Sequence, residues 1–117
     1  MILAVVDDLL FSSKIRTTAR QLGLEVAFVR QTGAAVESAR RERPRLIVVD
    51  LNCARFDAIG LVSSLKQDEE LRTIPVVGFV SHVHGDVIDR ARAAGIDEVM
   101  ARSAFSSRLP EILAPPS

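Results

Sequence analysis

The sequence predicts an α/β fold in which a parallel sheet is covered by helices on both faces. Two observations support this prediction: five short apolar runs alternate with five stretches of helical period, and the connections between them are brief. The apolar runs, interpreted as strands, are residues 2–6, 25–29, 45–49, 75–80 and 98–101. The first and third runs are apolar almost throughout, which indicates central strands, whereas the second and fifth are mixed and suit the edges of the sheet.

Apolar residues at helical spacing predict the helices between these runs. The positions are Phe11, Ile15, Ala19 and Leu22 in the first helix, Ala35, Val36 and Ala39 in the second, Ile59, Leu61, Val62 and Leu65 in the third, and Val87, Ile88, Ala91 and Ala94 in the fourth. Asp8 and Asp86 are candidate N-caps, and Gly23 and Gly95 are candidate left-handed residues at helix ends. A short fifth helix is predicted within residues 106–113, with Pro110 in its first turn.

Composition places the chain among ordinary globular proteins. Its 117 residues are 48% hydrophobic and 26% charged with a formal net charge of zero, so we expect one domain over residues 1–117, a disordered tail at about 115–117, and no nucleic acid or membrane as partner. Cys53 is the only cysteine, which excludes an internal disulfide. The apolar start of the chain stops at Asp7 and is too short for a signal peptide or a membrane span, so a cytoplasmic location is expected.

Acidic residues follow two of the predicted strands. Asp7 and Asp8 end the first run, and Asp50 ends the third. The carboxyl ends of parallel strands share one edge of the sheet, so these three carboxylates converge if the two strands are neighbours. Converging acids favour a hard divalent cation such as Mg²⁺, which prefers oxygen ligands. The alternative is that each acid only caps the following helix, for which Asp8 is well placed.

A histidine pair follows the fourth predicted strand at the same edge. His82 and His84 are able to recruit a softer ion such as Zn²⁺, or to form part of a solvent-facing loop, which is the interpretation we favour. Cys53 lies in the loop after Asp50, where it is either reactive or a bystander.

Four segments at strand ends together resemble a known family. They are "VVDD", "IVVDLNCARFD", "VVGFVSH" and "AGIDEVMAR", and their order and spacing resemble the receiver domain of bacterial response regulators, the CheY-like fold. The resemblance implies a flavodoxin-like three-layer sandwich with a five-stranded parallel sheet of order 2-1-3-4-5 and five helices.

The resemblance also implies functional roles. Asp50 would accept a phosphoryl group from a histidine kinase or a phosphotransfer protein, and Asp7, Asp8, Asp50 and the backbone carbonyl of Asn52 would hold Mg²⁺. Ser81 would be the switch hydroxyl, and Arg102 would pair with the phosphate in place of the family's lysine. Output would pass to a downstream protein through the fourth helix, the fifth strand and the fifth helix.

The chain departs from the family pattern at several of these positions. Arg102 and Ser103 replace a lysine and a cis-proline, and Ser81 follows Pro75 by six residues rather than five, which a bulge at Gly78 or an earlier proline would explain. The other departures are Ala54 and Ala58 in the loop after Asp50 and Val99 at the aromatic switch position. The segment "RSAFSSR" is expected to be a loop before the fifth helix, with Phe105 either a partner contact or packed beneath that helix.

Three functional hypotheses follow. The chain is a stand-alone receiver domain in phosphorelay signalling, phosphorylated on Asp50, that acts by binding a protein and is not an enzyme. Alternatively, it is a pseudo-receiver that docks without phosphorylation. The third hypothesis, a metal-dependent phosphohydrolase with Asp50 as nucleophile, lacks a second acid or base placed to activate water.

Overall fold

A parallel sheet runs through the centre of the protein, with helices on both faces. The structure, a computed structural model, describes residues 1–52, 57–81 and 85–114. In chain order its elements are β1 (Ile2–Val5), α1 (Leu9–Gln21), β2 (Val26–Val29), α2 (Thr32–Glu42), β3 (Leu46–Asp50), α3 (Ala58–Gln67), β4 (Val76–Val80), α4 (Gly85–Ala93), β5 (Glu98–Ala101), α5 (Arg102–Ser107) and α6 (Leu109–Leu113). These strands form one five-stranded sheet of order β2-β1-β3-β4-β5, and every pairing is parallel. The predicted fold class and strand order are confirmed.

β1 and β3 are neighbours although α1, β2 and α2 separate them in the chain. Their register pairs Ile2 with Leu46 and Val5 with Val49, so the two strands end at the same edge of the sheet. Because all pairings are parallel, the chain also leaves β4 and β5 at this edge.

Alternate residues of the buried strands form two apolar layers. Leu3 and Val5 belong to the layer with α2, α3 and α4, whereas Ile2 and Ala4 belong to the layer with α1, α5 and α6. β1, β3 and β4 are buried along their whole length, while β2 is half-buried and β5 is only partly buried. The predicted central and edge positions are therefore confirmed.

The segment after β5 differs from the prediction. In place of a loop and one short helix, the chain forms α5 directly after β5 and then α6, whose first turn contains Pro110 as expected. Phe105 on α5 is fully buried and stacks on Phe79 of β4, with 4.5 Å between the ring centroids. Tertiary packing of this ring outweighs the weak local helix signal. Of the two roles open for Phe105, packing is confirmed, and direct contact with a partner is wrong because the ring has no exposed surface.

Helix ends follow the sequence signals with one exception. Asp8 is the N-cap of α1, and Gly23 and Gly95 have positive φ angles of 71° and 99° after α1 and α4. Asp86 lies inside the first turn of α4, which begins at Gly85, so its assignment as the N-cap is wrong. Its negative charge still lies near the positive end of the helix dipole.

β4 pairs with β3 and β5 in one continuous register, which excludes a bulge at Gly78. The longer spacing from Pro75 to Ser81 therefore reflects an earlier proline, just before the strand begins. Gly78 serves a packing purpose instead, since a Cβ atom there would lie 2.7 Å from Leu51 Cδ1 and 2.8 Å from Ile96 Cδ1.

Gly78→Ala is expected to lower the free energy of unfolding by about 1–3 kcal/mol, because the added methyl overpacks a buried strand. The matched control is Gly33→Ala near the start of α2, where a Cβ atom would meet no atom within 4 Å. The control is expected to be neutral or to stabilise by about 0.5 kcal/mol, because alanine restricts the unfolded chain. Urea denaturation measures both, and equal effects of the two substitutions would contradict the packing argument.

Candidate functional site

The neighbouring ends of β1 and β3 bring three aspartates to one edge of the sheet. Asp7 and Asp8 follow β1, and Asp50 is the last residue of β3. Asp50 is only 6% exposed, and one of its carboxylate oxygens accepts a hydrogen bond from the backbone amide of Asn52 at 2.9 Å. The edge is therefore acidic, and one of its carboxyl groups is withdrawn from water.

The pKa of Asp50 reports its surroundings. Burial raises the pKa of this carboxyl above its usual range, because the charged form loses hydration. The Asn52 amide and the positive charge of Arg102 oppose the rise, while the negative charges of Asp8 and Asp7 add to it. These three charged groups therefore lie within electrostatic reach of Asp50, and for Asp7 and Asp8 the strand-end pattern predicts this.

Asp8 uses both of its carboxylate oxygens. One oxygen caps α1 by accepting hydrogen bonds from the Leu10 and Phe11 amides at 2.8 and 3.2 Å, and the other accepts from the Arg102 guanidinium. Burial by itself raises the pKa of Asp8, but the bonds from Phe11, Arg102 and Leu10 outweigh it and hold the pKa below its usual range. The capping role is confirmed, and the role of Asp8 as a metal ligand stays a prediction.

Arg102 is held from two sides. It is the first residue of α5, its guanidinium forms an ion pair with Asp8, and its Cζ atom lies 4.3 Å from the centre of the Phe11 ring. A partly exposed ion pair typically contributes about 0.2–1 kcal/mol, and a cation–π contact about 0.5–1 kcal/mol. Together they fix the guanidinium beside the acidic edge although 94 positions separate Arg102 from Asp8.

Asp7 has a different counter-ion. The Arg30 side chain lies 3.7 Å from an Asp7 oxygen and is 66% exposed, so water screens this pair strongly. The β1–β2 register explains the contact, since Val29 pairs with Val5 and Arg30 follows directly.

A surface pocket of about 410 Å³ lies beside the acids, where β4 and β5 end. Its lining consists of Phe11, Ser81, Ala101, Arg102, Ser103 and Ser106. Ser81 is half-buried and directly follows β4, at the place where the switch hydroxyl was expected. Arg102 thus borders both the pocket and the acidic edge.

The donor chemistry of the edge fits Mg²⁺, because two further carboxylates, those of Asp7 and Asp8, act on the buried Asp50 and Mg²⁺ prefers oxygen ligands. Within residues 1–52, 57–81 and 85–114, however, no three acidic, histidine or cysteine side chains form a ready-made metal site. Asp8 is engaged by Arg102, so binding an ion through it requires a rearrangement of that pair. The ligand roles of Asp7, Asp8, Asp50 and Asn52 stay predictions.

Several residues singled out in the sequence lie outside the described part of the chain. They are Cys53, Ala54, His82, His84 and the tail at 115–117. Elsewhere, the sequence does not reveal the contact of Phe11 with Arg102 or the exposed contact of Arg30 with Asp7. The helical spacing of Phe11 indicates only a core position. No pattern in the sequence shows that the Arg102 guanidinium lies over its ring.

Comparison with known proteins agrees with this geometry. The family model described as "Response regulator receiver domain" matches residues 2–114. The polar-differentiation response regulator DivK of Brucella anthropi is 26% identical over 112 residues, which cover 96% of this chain and 91% of DivK. The phosphorylated cyanobacterial phytochrome response regulator RcpA is 28% identical, with a TM-score of 0.80 over 95% of this chain and 86% of RcpA. The receiver domain of the sensor histidine kinase PA1611 from Pseudomonas aeruginosa PAO1, whose structure has a magnesium ion coordinated in the active site cleft, is 25% identical with a TM-score of 0.82 over 96% and 92% of the two chains.

The chain belongs to the response regulator receiver domain family, as the resemblance predicted. Receiver domains are signalling modules of two-component systems that interact with histidine kinases or phosphotransfer proteins and with downstream partners. In the described residues, no helix combines the length and the apolar character needed to cross a membrane.

Asp50→Asn is expected to raise the free energy of unfolding at pH 7 in the presence of EDTA, because the variant buries no charge. The advantage should shrink as the pH falls toward 3.8, the ordinary pKa of aspartate, since the folded wild type binds a proton before the unfolded chain does and is stabilised by it. Denaturant unfolding at several pH values measures the difference.

Asp68→Asn is the matched control of opposite sign. A hydrogen bond from Arg40 is the main reason why the pKa of Asp68 is lowered. The charged form therefore stabilises the fold above pH 3.8, and that contribution is lost as the pH falls through the lowered pKa. The control should be less stable than wild type at pH 7. A destabilising effect of Asp50→Asn at pH 7 would contradict the cost assigned to the buried Asp50 charge.

Proposed function

We propose that Asp50 accepts a phosphoryl group in a phosphorelay and that the chain transmits the signal by binding another protein. The observation that supports this most directly is the buried Asp50 carboxyl at the carboxyl edge of the sheet, with charged groups of both signs around it. The phosphorylated state of the relative RcpA agrees with this role.

The transfer is a displacement at phosphorus. A carboxylate oxygen of Asp50 forms a bond to the phosphorus atom of a phosphohistidine or a small acyl phosphate, and the bond from phosphorus to the donor nitrogen or oxygen breaks. Asp50 becomes an acyl phosphate. The imidazole that leaves from phosphohistidine takes up a proton from solvent, whereas a small acyl phosphate releases its own carboxylate. The nucleophile in this step is the carboxylate form of Asp50.

Mg²⁺ is the cofactor that the acidic edge would hold, through oxygens of Asp7, Asp8 and Asp50 and the backbone carbonyl of Asn52. When bound, such an ion neutralises negative charge on the transferred group. The magnesium ion in the active site cleft of the PA1611 receiver domain supports this assignment.

Ser81 and Arg102 are proposed to bind the phosphoryl group once it is on Asp50. Ser81 follows β4 next to the end of β3, and its hydroxyl is able to donate to a phosphoryl oxygen. Arg102 already acts on Asp50 electrostatically, and its guanidinium carries donors that match a phosphate. The partner surface is proposed to comprise α4, β5 and the helix that follows, in a cytoplasmic setting.

A docking module that works without phosphorylation is the second candidate function. The ion pair between Asp8 and Arg102 favours it, because that pair neutralises part of the acidic edge without a metal ion or a phosphate. In this case the domain stays in one state and binds its partner constitutively.

Incubation with acetyl phosphate and MgCl₂, followed by intact mass measurement, separates the two functions. The wild type is expected to gain the mass of one phosphoryl group, and Asp50→Asn is expected to gain none. Asp57→Asn is the matched control, because the hydrogen bond of Asp57 within the described residues caps α3 through the Gly60 backbone amide, and asparagine is able to cap equally well.

The control should be labelled like the wild type. An unlabelled wild type, under conditions where another receiver domain is labelled, would favour the docking module over phosphorylation. Labelling that persists in Asp50→Asn would show that the acceptor is a different residue.

A further inference from the structure

The position of Arg102 has a consequence for cation binding at the acidic edge. Its guanidinium donates to the Asp8 oxygen that does not cap α1, and its positive charge opposes the rise that burial causes in the pKa of Asp50. The Arg102 guanidinium therefore interacts with two of the three aspartates that are proposed as ligands of a divalent ion. The third acid, Asp7, has the exposed Arg30 nearby.

The other oxygen of Asp8 does not provide an easy alternative. This oxygen accepts hydrogen bonds from two backbone amides at the start of α1, at 2.8 and 3.2 Å. Moving it away would therefore remove the N-cap of that helix. An ion that approaches the remaining oxygen meets the guanidinium there, and two cations at one carboxylate repel each other.

The guanidinium is also anchored on its second side. The Phe11 ring lies 4.3 Å from Arg102 Cζ, and Phe11 itself stacks on Phe79 with 4.8 Å between the ring centroids. Arginine suits this place because its planar group both stacks on a ring and forms an ion pair. An exposed arginine such as Arg30 has no comparable support in the described contacts.

We propose that Arg102 is a built-in counter-ion of the acidic edge that competes with a divalent cation for Asp8. The proposal rests on the assignment of this edge as the cation site of the proposed function. Divalent binding then requires the guanidinium to leave Asp8 and to give up part of its contact with Phe11. Losing one ion pair and one cation–π contact corresponds to about a tenfold weakening of the affinity for the ion.

Calorimetric titration of metal-free protein with MgCl₂, without any phosphoryl donor, tests the competition. Arg102→Ala is expected to bind Mg²⁺ about tenfold more tightly than wild type. Arg102→Gln serves as a second variant that removes the charge but keeps a polar side chain with an N–H donor, and it should also bind more tightly. Thermal unfolding in EDTA establishes that each variant is folded.

Arg30→Ala is the matched control, since it also removes one positive charge beside a site aspartate but leaves the pair of Asp8 and Arg102 intact. It is expected to change the affinity less than about threefold, because a pair this exposed is strongly screened. In an Asp8→Asn background, Arg102→Ala should give no gain, because the shared ligand is absent.

Equal affinities of Arg102→Ala and wild type, or equal gains in Arg102→Ala and Arg30→Ala, would overturn the proposal, as would the absence of Mg²⁺ binding in every protein. The titration contains no phosphoryl donor, so it is read independently of the mass experiment. Failure of Asp50 labelling together with a gain in Arg102→Ala would remove the proposed function and leave the competition in place.

Discussion

The parallel pairing of β1 with β3 is the constraint on which the site depends. The pairing joins two strands that more than forty positions separate, and its register sets Val5 beside Val49. Asp8 and Asp50 consequently leave the sheet at one edge and act on each other electrostatically. Burial of both strands fixes that register, because a slip by one residue would turn every apolar side chain to the opposite layer. The core and the site are therefore products of the same strand pairing.

Where several carboxylates lie together, positive charges or hydrogen-bond donors must offset their mutual repulsion. The chain meets this requirement differently for each aspartate: Arg102 pairs with Asp8, Arg30 lies near Asp7, and the Asn52 amide donates to Asp50. The pKa directions follow from these partners, since the well-paired Asp8 has a lowered pKa and the buried Asp50 a raised one. Asp50 is consequently the acid for which an added charge-neutralising group has the largest effect.

The sequence predicts the strands and most helix ends because their signals are local. Apolar runs mark buried strands, and Asp8 and Gly23 occupy positions that caps require. The prediction was wrong for residues 102–108, because α5 contains one large apolar residue and forms only where Phe105 meets Phe79. The ion pair between Arg102 and Asp8 is likewise invisible in the sequence, since it depends on where β5 ends in the folded sheet. Features that depend on tertiary contacts are those that the pattern does not reveal.

Arg102 connects the charged edge to the apolar layer beneath it. Its guanidinium touches the Phe11 ring, and Phe11, Phe79 and Phe105 stack through the layer with centroid distances of 4.8 and 4.5 Å along the stack. These rings belong to α1, β4 and α5, so a guanidinium that leaves Asp8 changes a contact between α5 and α1 at the end of the ring stack. Close-packed interiors do not absorb such a change locally, because a ring that shifts must displace its neighbours. Val99 is not aromatic, and among the described residues the ring stack under Arg102 is where the acidic edge meets the apolar layer that holds α5.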